Sequence, residues 1–308
     1  MNERWMPRMS MPTYRRRRMD KRRRAFRFPI KFVLLLLLLA AMLAYPFVEA
    51  RLTPKVDRHN VLISNLDPNL KNLKIAYVTD IHQSMWFSQA RVNDLIRQLN
   101  GLSADIVILG GDYATDSYTA IRFFENLPPI NARIGTFAVF GSSDRDGPDT
   151  NLSRLMGIMN GKGITPLVNN TYTVKRGKAY LTIAGADDMK NGDADLDAVA
   201  AEVKESDYVI FVGHSPDLLT EMRKARGSDG SNHWFDVALF GSTHGGQINV
   251  FGKTPFAQLR PRLGNRYTAG WLEENRASIL VSRGVGTSFL PARLFARPEI
   301  HFITLKSR

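Results

Sequence analysis

Five short apolar runs in this chain each end in glycine, an acid or a histidine. Ile75-Ala76-Tyr77-Val78-Thr79 runs into Asp80-Ile81-His82, and Ile106-Val107-Ile108-Leu109 into Gly110-Gly111-Asp112. Phe137-Ala138-Val139-Phe140 ends in Gly141-Ser142-Ser143-Asp144, and Val209-Ile210-Phe211-Val212 in Gly213-His214. Val237-Ala238-Leu239-Phe240 ends in Gly241-Ser242-Thr243-His244-Gly245-Gly246-Gln247. Apolar, β-branched runs of this length bounded by turn residues read as buried strands. In α/β sheets, ligand sites collect at the carboxyl ends of the strands. Glycine there permits tight turns and close approach of backbone to a ligand.

The polar residues at these ends suggest a metal. In an extended chain, residues i and i+2 share a side, so Asp80 and His82 leave their strand together and can grip one cation. A hard carboxylate beside an imidazole suits Zn, Mn or Fe better than Ca. Taken singly, each motif has a plainer explanation. Asp at a strand end is commonly turn chemistry, and His214 before Ser215-Pro216-Asp217 is placed to cap a helix. Five such endings in order favour ligands. His59, His233 and His301 stand outside any motif and are assigned to structure or surface. With no cysteine, the chain has no disulfide and no thiolate ligand or nucleophile.

The 308 residues are enough for one large domain or two small ones. The net charge of +13 is mostly a tail effect. Residues 1–31 hold twelve Arg or Lys against Glu3 and Asp20, so the remainder carries only +3. This tail reads as disordered. Residues 32–48 follow as seventeen uncharged positions, with leucine unbroken over 34–39 and Pro29 and Pro46 on either side. That is the short end of a membrane span. Basic residues before it put the tail in the cytoplasm, beside anionic lipid, and the rest of the chain outside. A cleaved export signal is the alternative: Arg23-Arg24-Ala25-Phe26 looks like a twin-arginine motif, and Val48-Glu49-Ala50 is a tolerable cleavage site near Ala50. A soluble core helix is disfavoured by the basic tail. Nucleic-acid binding is not expected, because the globular part is nearly charge-balanced.

Residues 49–72 read as a linker and a first strand, and 73–308 as one domain. Strands are expected at 73–79, 105–110, 135–140, 164–168, 171–175, 179–185, 208–213, 236–240, 247–251, 278–282 and 299–305. Helices are expected at 88–99, 117–126, 150–160, 193–204 and 215–225. The alternation argues an α/β domain whose second half is richer in strand. Trp271, Phe289, Leu290, Leu294 and Phe295 are expected to pack in the core, with a membrane-facing rim as the alternative.

The order Asp-x-His, Gly-Gly-Asp, Gly-x-x-Asp, Gly-His, Gly-x-Thr-His resembles the calcineurin-like metallophosphoesterases. The Gly-Gly-Gln ending and the stretch Val281-Ser282-Arg283-Gly284-Val285-Gly286-Thr287-Ser288 are similar to their bacterial membrane-associated phosphodiesterase branch. The resemblance covers about 60–308 and implies a four-layer αββα sandwich with two adjacent metals. The first metal would take Asp80, His82, Asp112 and His244. The second would share Asp112 and add His214, but its Asn and His positions are Ser142 and Ser242. The histidine near the leaving group is Ser143. The resemblance therefore implies one strong site for Mn, Fe or Zn and a degenerate second one; the conceivable compensations are Asp144 or Asp146 reaching the second site, or His233 taking a lost role.

Two functions follow from it. The first is a phosphoester hydrolase, a phosphodiesterase by branch, in which water activated at the metal attacks phosphorus, with Asp112 and His214 in the catalytic roles. It would be anchored at the outer face of the membrane, where lipid-linked substrates are available. The alternative is a degenerate member that binds a phosphorylated ligand or partner without turnover.

Overall fold

The computed structural model describes residues 30–308. The basic tail and the twin-arginine motif lie outside the described residues, apart from Lys31. The chain divides into two compact units, Met1–Ala41 and Met42–Arg308. The division falls inside α1 (Ile30–Glu49), a 20-residue helix of sufficient length and apolarity to cross a membrane. Its leucines are exposed, and its last residue, Glu49, is buried in the second unit.

The second unit is built on two six-stranded sheets. The first has the order β1 (Lys55–Ile63), β12 (Glu299–Ser307), β2 (Lys74–Val78), β3 (Ile106–Leu109), β4 (Gly135–Ala138), β5 (Ile164–Pro166). The second runs β10 (Gly270–Glu274), β11 (Ala277–Val281), β9 (Val237–Phe240), β8 (Val209–Val212), β7 (Ala179–Gly185), β6 (Asn170–Arg176). Strands β2 to β5 are parallel, as are β7, β8, β9 and β11, so these strands end on one side of each sheet.

Period-2 alternation explains how both faces are used. Ile75, Ile106, Ile108, Phe137 and Val139 meet Leu181, Ile183, Ile210, Val212 and Leu239 between the sheets. The intervening residues Ala76, Val78, Val107 and Leu109 face outward onto Val92, Leu95 and Leu99 of α2 (Gln89–Gly101) and Phe124 of α3 (Ser117–Glu125). Leu155 and Met159 of α4 (Asp149–Gly161) complete that layer. On the far side, Phe211, Ala238 and Phe240 pack on Val199 of α5 (Leu196–Ala201), Met222 of α6 (Leu219–Met222) and Trp234. The result is helix, sheet, sheet, helix, as expected. Each fully buried Leu, Ile or Phe contributes about 1.5–3 kcal/mol, which makes these three clusters the main stabilising term.

Local differences have local causes. The expected strand at 247–251 does not form: Ile248 and Val250 make only isolated bridges, and a 3-10 turn occupies His244–Gly246. Its glycines sit at positive φ, which breaks extension. The helix expected at 193–204 shrinks to α5, and that at 215–225 splits into a 3-10 turn at Pro216–Leu218 and α6. The linker contains a nine-residue strand, β1, paired in parallel with β12. Strand β10 is not among the expected strands; its residues are only half-buried or exposed. Phe289, Leu290 and Phe295 are exposed rather than packed in the core, Phe295 at 71%.

Candidate metal centre

The loops after β2, β3, β8 and β9 bring Asp80, His82, Asp112, His214 and His244 together, all buried. Oxygen and nitrogen atoms of Asp80, His82 and His244, and of Asp80, Asp112 and His214, form two groups within 4.8 Å. His82 Nε2 lies 3.1 Å from His244 Nε2 and 3.4 Å from Asp112 Oδ2. His214 Nε2 is 3.2 Å from Asp112 Oδ2, and His244 Nε2 is 3.5 Å from Asp80 Oδ1. The backbone gets there by an unexpected route. Strand β2 stops at Val78, and Asp80 and His82 sit at φ 54° and 45°, not in extended conformation. Asp112, Ser242 and His244 are also at positive φ. Strained conformations of this kind cluster where a site is held by its surroundings.

Those surroundings are specific. Ser143 donates to Asp112 Oδ1 from both its N–H (2.9 Å) and its hydroxyl (2.8 Å), leaving Oδ2 to face the imidazoles. Ser242 N–H donates to Asp80 Oδ1 at 3.0 Å. Asp144, which the sequence offered as a replacement ligand, instead accepts from the N–H groups of Asp112, Tyr113 and Gly141. It ties the β3 loop to the β4 loop. Gly141 has no room for a Cβ beside the Asp112 carboxylate. Asp146 is exposed, and His233 lines a separate hollow with Arg223 and Glu274. Neither reaches the centre. His59 stacks on Trp271, and His301 is buried between Asp57 and Glu299.

Two residues escaped sequence reasoning. Arg293 is fully buried and donates to the carbonyls of Gly286, Ala296 and Arg283, with Nη2 3.2 Å from His244 Nδ1. Gln247 is fully buried too. Its amide donates to the Leu290 carbonyl and accepts from Ser288 N–H, stitching the glycine turn to the 286–296 loop. An Arg after Pro-Ala in a C-terminal loop carries no motif signal; Gly-Gly-Gln was visible, but its structural role was not.

Electrostatics follow from burying so many ionisable groups. Burial raises the Asp80 carboxyl, with the Asp112 charge adding to this and His214 opposing it. Burial alone would raise Asp112 as well, but the His214 charge and hydrogen bond, with His82, hold it well below the usual carboxylate range. His214 is held well above the ordinary histidine value by Asp112 and Asp80 against the cost of burial. His244 goes the other way: burial, His82 and Arg293 push it well below. Asp144 is raised to about 7 by burial and by the Asp112 charge.

The residues fit a divalent cation. His214 Nδ1 lies 2.9 Å from the Gly110 carbonyl, to which it donates, and its buried Nε2 turns inward, 3.2 Å from Asp112 Oδ2 but out of line for a well-formed hydrogen bond. That is the arrangement of a histidine ligand oriented by backbone. At His244 the guanidinium can only donate, so a bond to Nδ1 keeps the neutral ring protonated at Nε2. Loading a cation at Nε2 requires the other tautomer, with Arg293 left to its carbonyl partners. Two buried carboxylates among three buried imidazoles fit a compensating cation.

A fold of two such sheets with this centre at their strand ends is a metallophosphoesterase. The family model described as calcineurin-like phosphoesterase matches residues 73–246, and the chain belongs to that family. It is 30% identical over 241 residues to phosphodiesterase YaeI of Escherichia coli, covering 77% of this chain and 83% of that protein. It is 26% identical over 257 residues to the uncharacterized metallophosphoesterase YkuE of Bacillus subtilis, covering 82% and 86%. It is also 23% identical over 286 residues to a transmembrane protein with metallophosphoesterase domain from Danio rerio, covering 89% of this chain and 62% of that one.

Proposed function

We propose that this protein is a metal-dependent phosphodiester hydrolase anchored by α1 at the outer face of the cytoplasmic membrane. The observation that carries this reading is the convergence of Asp80, His82, Asp112, His214 and His244, with the buried His214 Nε2 turned to the Asp112 and Asp80 carboxylates. A divalent metal held there would supply a Lewis acid that lowers the pKa of water and polarises a phosphoryl oxygen. The protein's own residues do the rest. The Gly110 carbonyl takes Nδ1 of His214 and so turns Nε2 inward. Ser143 turns Asp112 so that Oδ2 faces the site. Ser242 N–H and the β9 loop hold Asp80.

The leaving-group side is weaker. A serine hydroxyl at Ser143 is bonded to Asp112 and cannot donate a proton as an imidazolium would. Loss of a general acid costs roughly 10²–10⁴-fold, so substrates whose leaving groups need no proton are favoured.

Several features support an uncleaved anchor. Glu49 accepts from the N–H groups of Phe295 (3.2 Å) and Ala296 (2.9 Å), and Pro46 O accepts from Arg293 N–H. Cleavage near Ala50 would remove these partners from a loop that holds Arg293. The exposed Phe251, Phe289 and Phe295 lie on this loop and its neighbour, which suits an interfacial rim.

A second reading, binding without turnover, is favoured by one observation: the serines at 142, 143 and 242. The test is hydrolysis of bis(p-nitrophenyl) phosphate by the full chain in detergent, with Mn, Fe or Zn supplied, beside Asp112→Ala. Turnover lost with Asp112 supports the hydrolase. Turnover no greater than the variant's with every metal favours the binding reading.

A further inference from the structure

A cavity of about 430 Å³ lies where the chain leaves α1, between residues 51–54 and the start of α2. Leu52, Pro54, Trp86 and Leu95 give it an apolar wall, and Arg51 and Arg91 give it charge. Arg91 is half-buried and stacks on Phe87, its guanidinium 4.2 Å from the ring centroid. It donates to the carbonyls of Ala50 and Trp86, each at 3.1 Å, which uses two of its five N–H groups. The Arg51 side chain is exposed and makes no hydrogen bond or ion pair among the described residues. Burial and the Arg51 charge both lower Arg91 from the ordinary arginine value, so the two cations work against each other. The one carboxylate in the lining, Asp94, does not offset them. It is exposed and bonded at 2.7 Å to Arg97, which does not line the cavity. Three guanidinium groups therefore stand around one carboxylate.

We propose that this cavity binds an anionic phospholipid of the outer leaflet, with its phosphate between Arg51 and Arg91 and the first carbons of an acyl chain against Leu52, Pro54 and Trp86. The proposal rests on the reading of α1 as an uncleaved anchor. Position supports it first. Arg51 lies two positions past Glu49, the end of α1, and two residues reach at most about 7 Å. The headgroup layer is about 5–7 Å deep on each side of a bilayer, so Arg51 is held within it. Trp86 is 47% exposed at the cavity, and an apolar ring with one polar N–H is favoured at that depth. Charge then selects the ligand. Guanidinium groups bind phosphate oxygens directly, and an anion between two like charges relieves their repulsion. A zwitterionic headgroup brings its own ammonium to the same place and gains less. The volume admits a glycerophosphate and the upper part of one chain. None of the five metal-ligand candidates lines the cavity, so the lipid is a bound companion that seats the domain on the membrane and not the substrate.

The test uses the full chain in mild detergent, with native mass spectrometry to count retained lipid. Dioleoyl phosphatidylglycerol should bind at least tenfold more tightly than dioleoyl phosphatidylcholine. Arg51→Ala should weaken phosphatidylglycerol at least tenfold, and Arg51→Lys should recover most of the loss. Arg51 is exposed and its side chain bonds nothing, so folding is not at issue. The basic tail is present in every variant and cancels from the comparison. Lys178→Ala, which removes an exposed charge between β6 and β7, should change nothing. If it costs as much as Arg51→Ala, or if phosphatidylcholine binds equally well, the attraction is diffuse and the site is overturned. Glycerol 3-phosphate, which has no chains, should compete at least a hundredfold more weakly than the lipid. Equal competition would make this a site for free phosphate and overturn the proposal. Alkaline carbonate extraction of membranes tests the anchor separately. A chain released by carbonate refutes the anchor and the lipid site with it. A chain that stays in the membrane, with phosphatidylglycerol binding unmoved by Arg51→Ala, overturns the lipid site alone.

Discussion

The two halves of the centre use different chemistry in the same scaffold. On one side, Asp80, His82, Asp112 and His244 present ligand atoms a few ångströms apart, locked by N–H groups, by Ser143 and by Arg293. On the other, only His214 keeps a ligand's posture, and the neighbouring positions are hydroxyls opening onto a cavity lined by Lys190, Arg260 and Arg262 and by Asp188 and Asp217. The first half concentrates buried charge that a metal would neutralise. The second has exposed positive charge on Lys190 and Arg262. Density of buried charge, more than presence of polar residues, separates the two halves.

The largest effect should come from breaking the first half. Asp112→Ala removes the carboxylate whose Oδ2 faces both His82 and His214. It should lower turnover of bis(p-nitrophenyl) phosphate by at least about 10³-fold, with bound metal lost in elemental analysis. Retained metal would mean that the ligand set is misassigned.

Converting the second half into the first is the next test. Ser142→Asn, Ser143→His and Ser242→His together should raise metal content from one towards two per chain. Turnover of substrates with poor leaving groups should rise by about 10²-fold. Ser143→His gives up one hydroxyl bond to Asp112, but the N–H bond remains. A flat rate with unchanged metal would mean that the serines are not what limits this half.

Arg293→Met probes how the first half is held. It leaves the carbonyls of Gly286, Ala296 and Arg283 without their donor in a dry interior, at about 1–3 kcal/mol for each buried acceptor left unsatisfied. The expected result is a Tm lower by several degrees and roughly tenfold lower turnover. Arg293→Lys should not restore either, because an ammonium cannot span the same fork of acceptors.

The smallest effect is a control in neither half. Asp236, beside β9, accepts from Val209 N–H and is raised to about 6 by burial. Its folded value lies above the unfolded 3.8, so its contribution to stability is present below pH 4 and lost as pH rises through about 6. Asp236→Asn should flatten that loss, roughly 2–3 kcal/mol at most, with metal content unchanged. Thermal denaturation at pH 4 and pH 7.5 measures it.

Much of this was legible before any coordinates. The runs at β2, β3, β8 and β9 are wholly buried, and so their composition alone marks them. Strands with mixed burial, such as β1 and β10, were missed or blurred because their pattern depends on partners far along the chain. The same holds at the centre. Spacing suggests that Asp80 and His82 leave an extended strand together, whereas both sit at positive φ in a loop held by the Gly111 and Asp112 carbonyls and by Gly286 N–H. Asp144 was placed at the site for the wrong reason, since a carboxylate's spacing does not reveal whether metal or backbone will claim it.

By itself, the sequence determined the layered α/β class, the apolar segment and the set of ligand candidates, because each depends on local composition and order. Only the tertiary structure decided that Ser143 orients Asp112, that Arg293 sits behind His244, and that Lys190 and Arg262 face the serines. Ser143 and Asp112 are 31 positions apart and Arg293 and His244 are 49 apart, and distance in the chain carries no record of which side chains a packed interior will bring together.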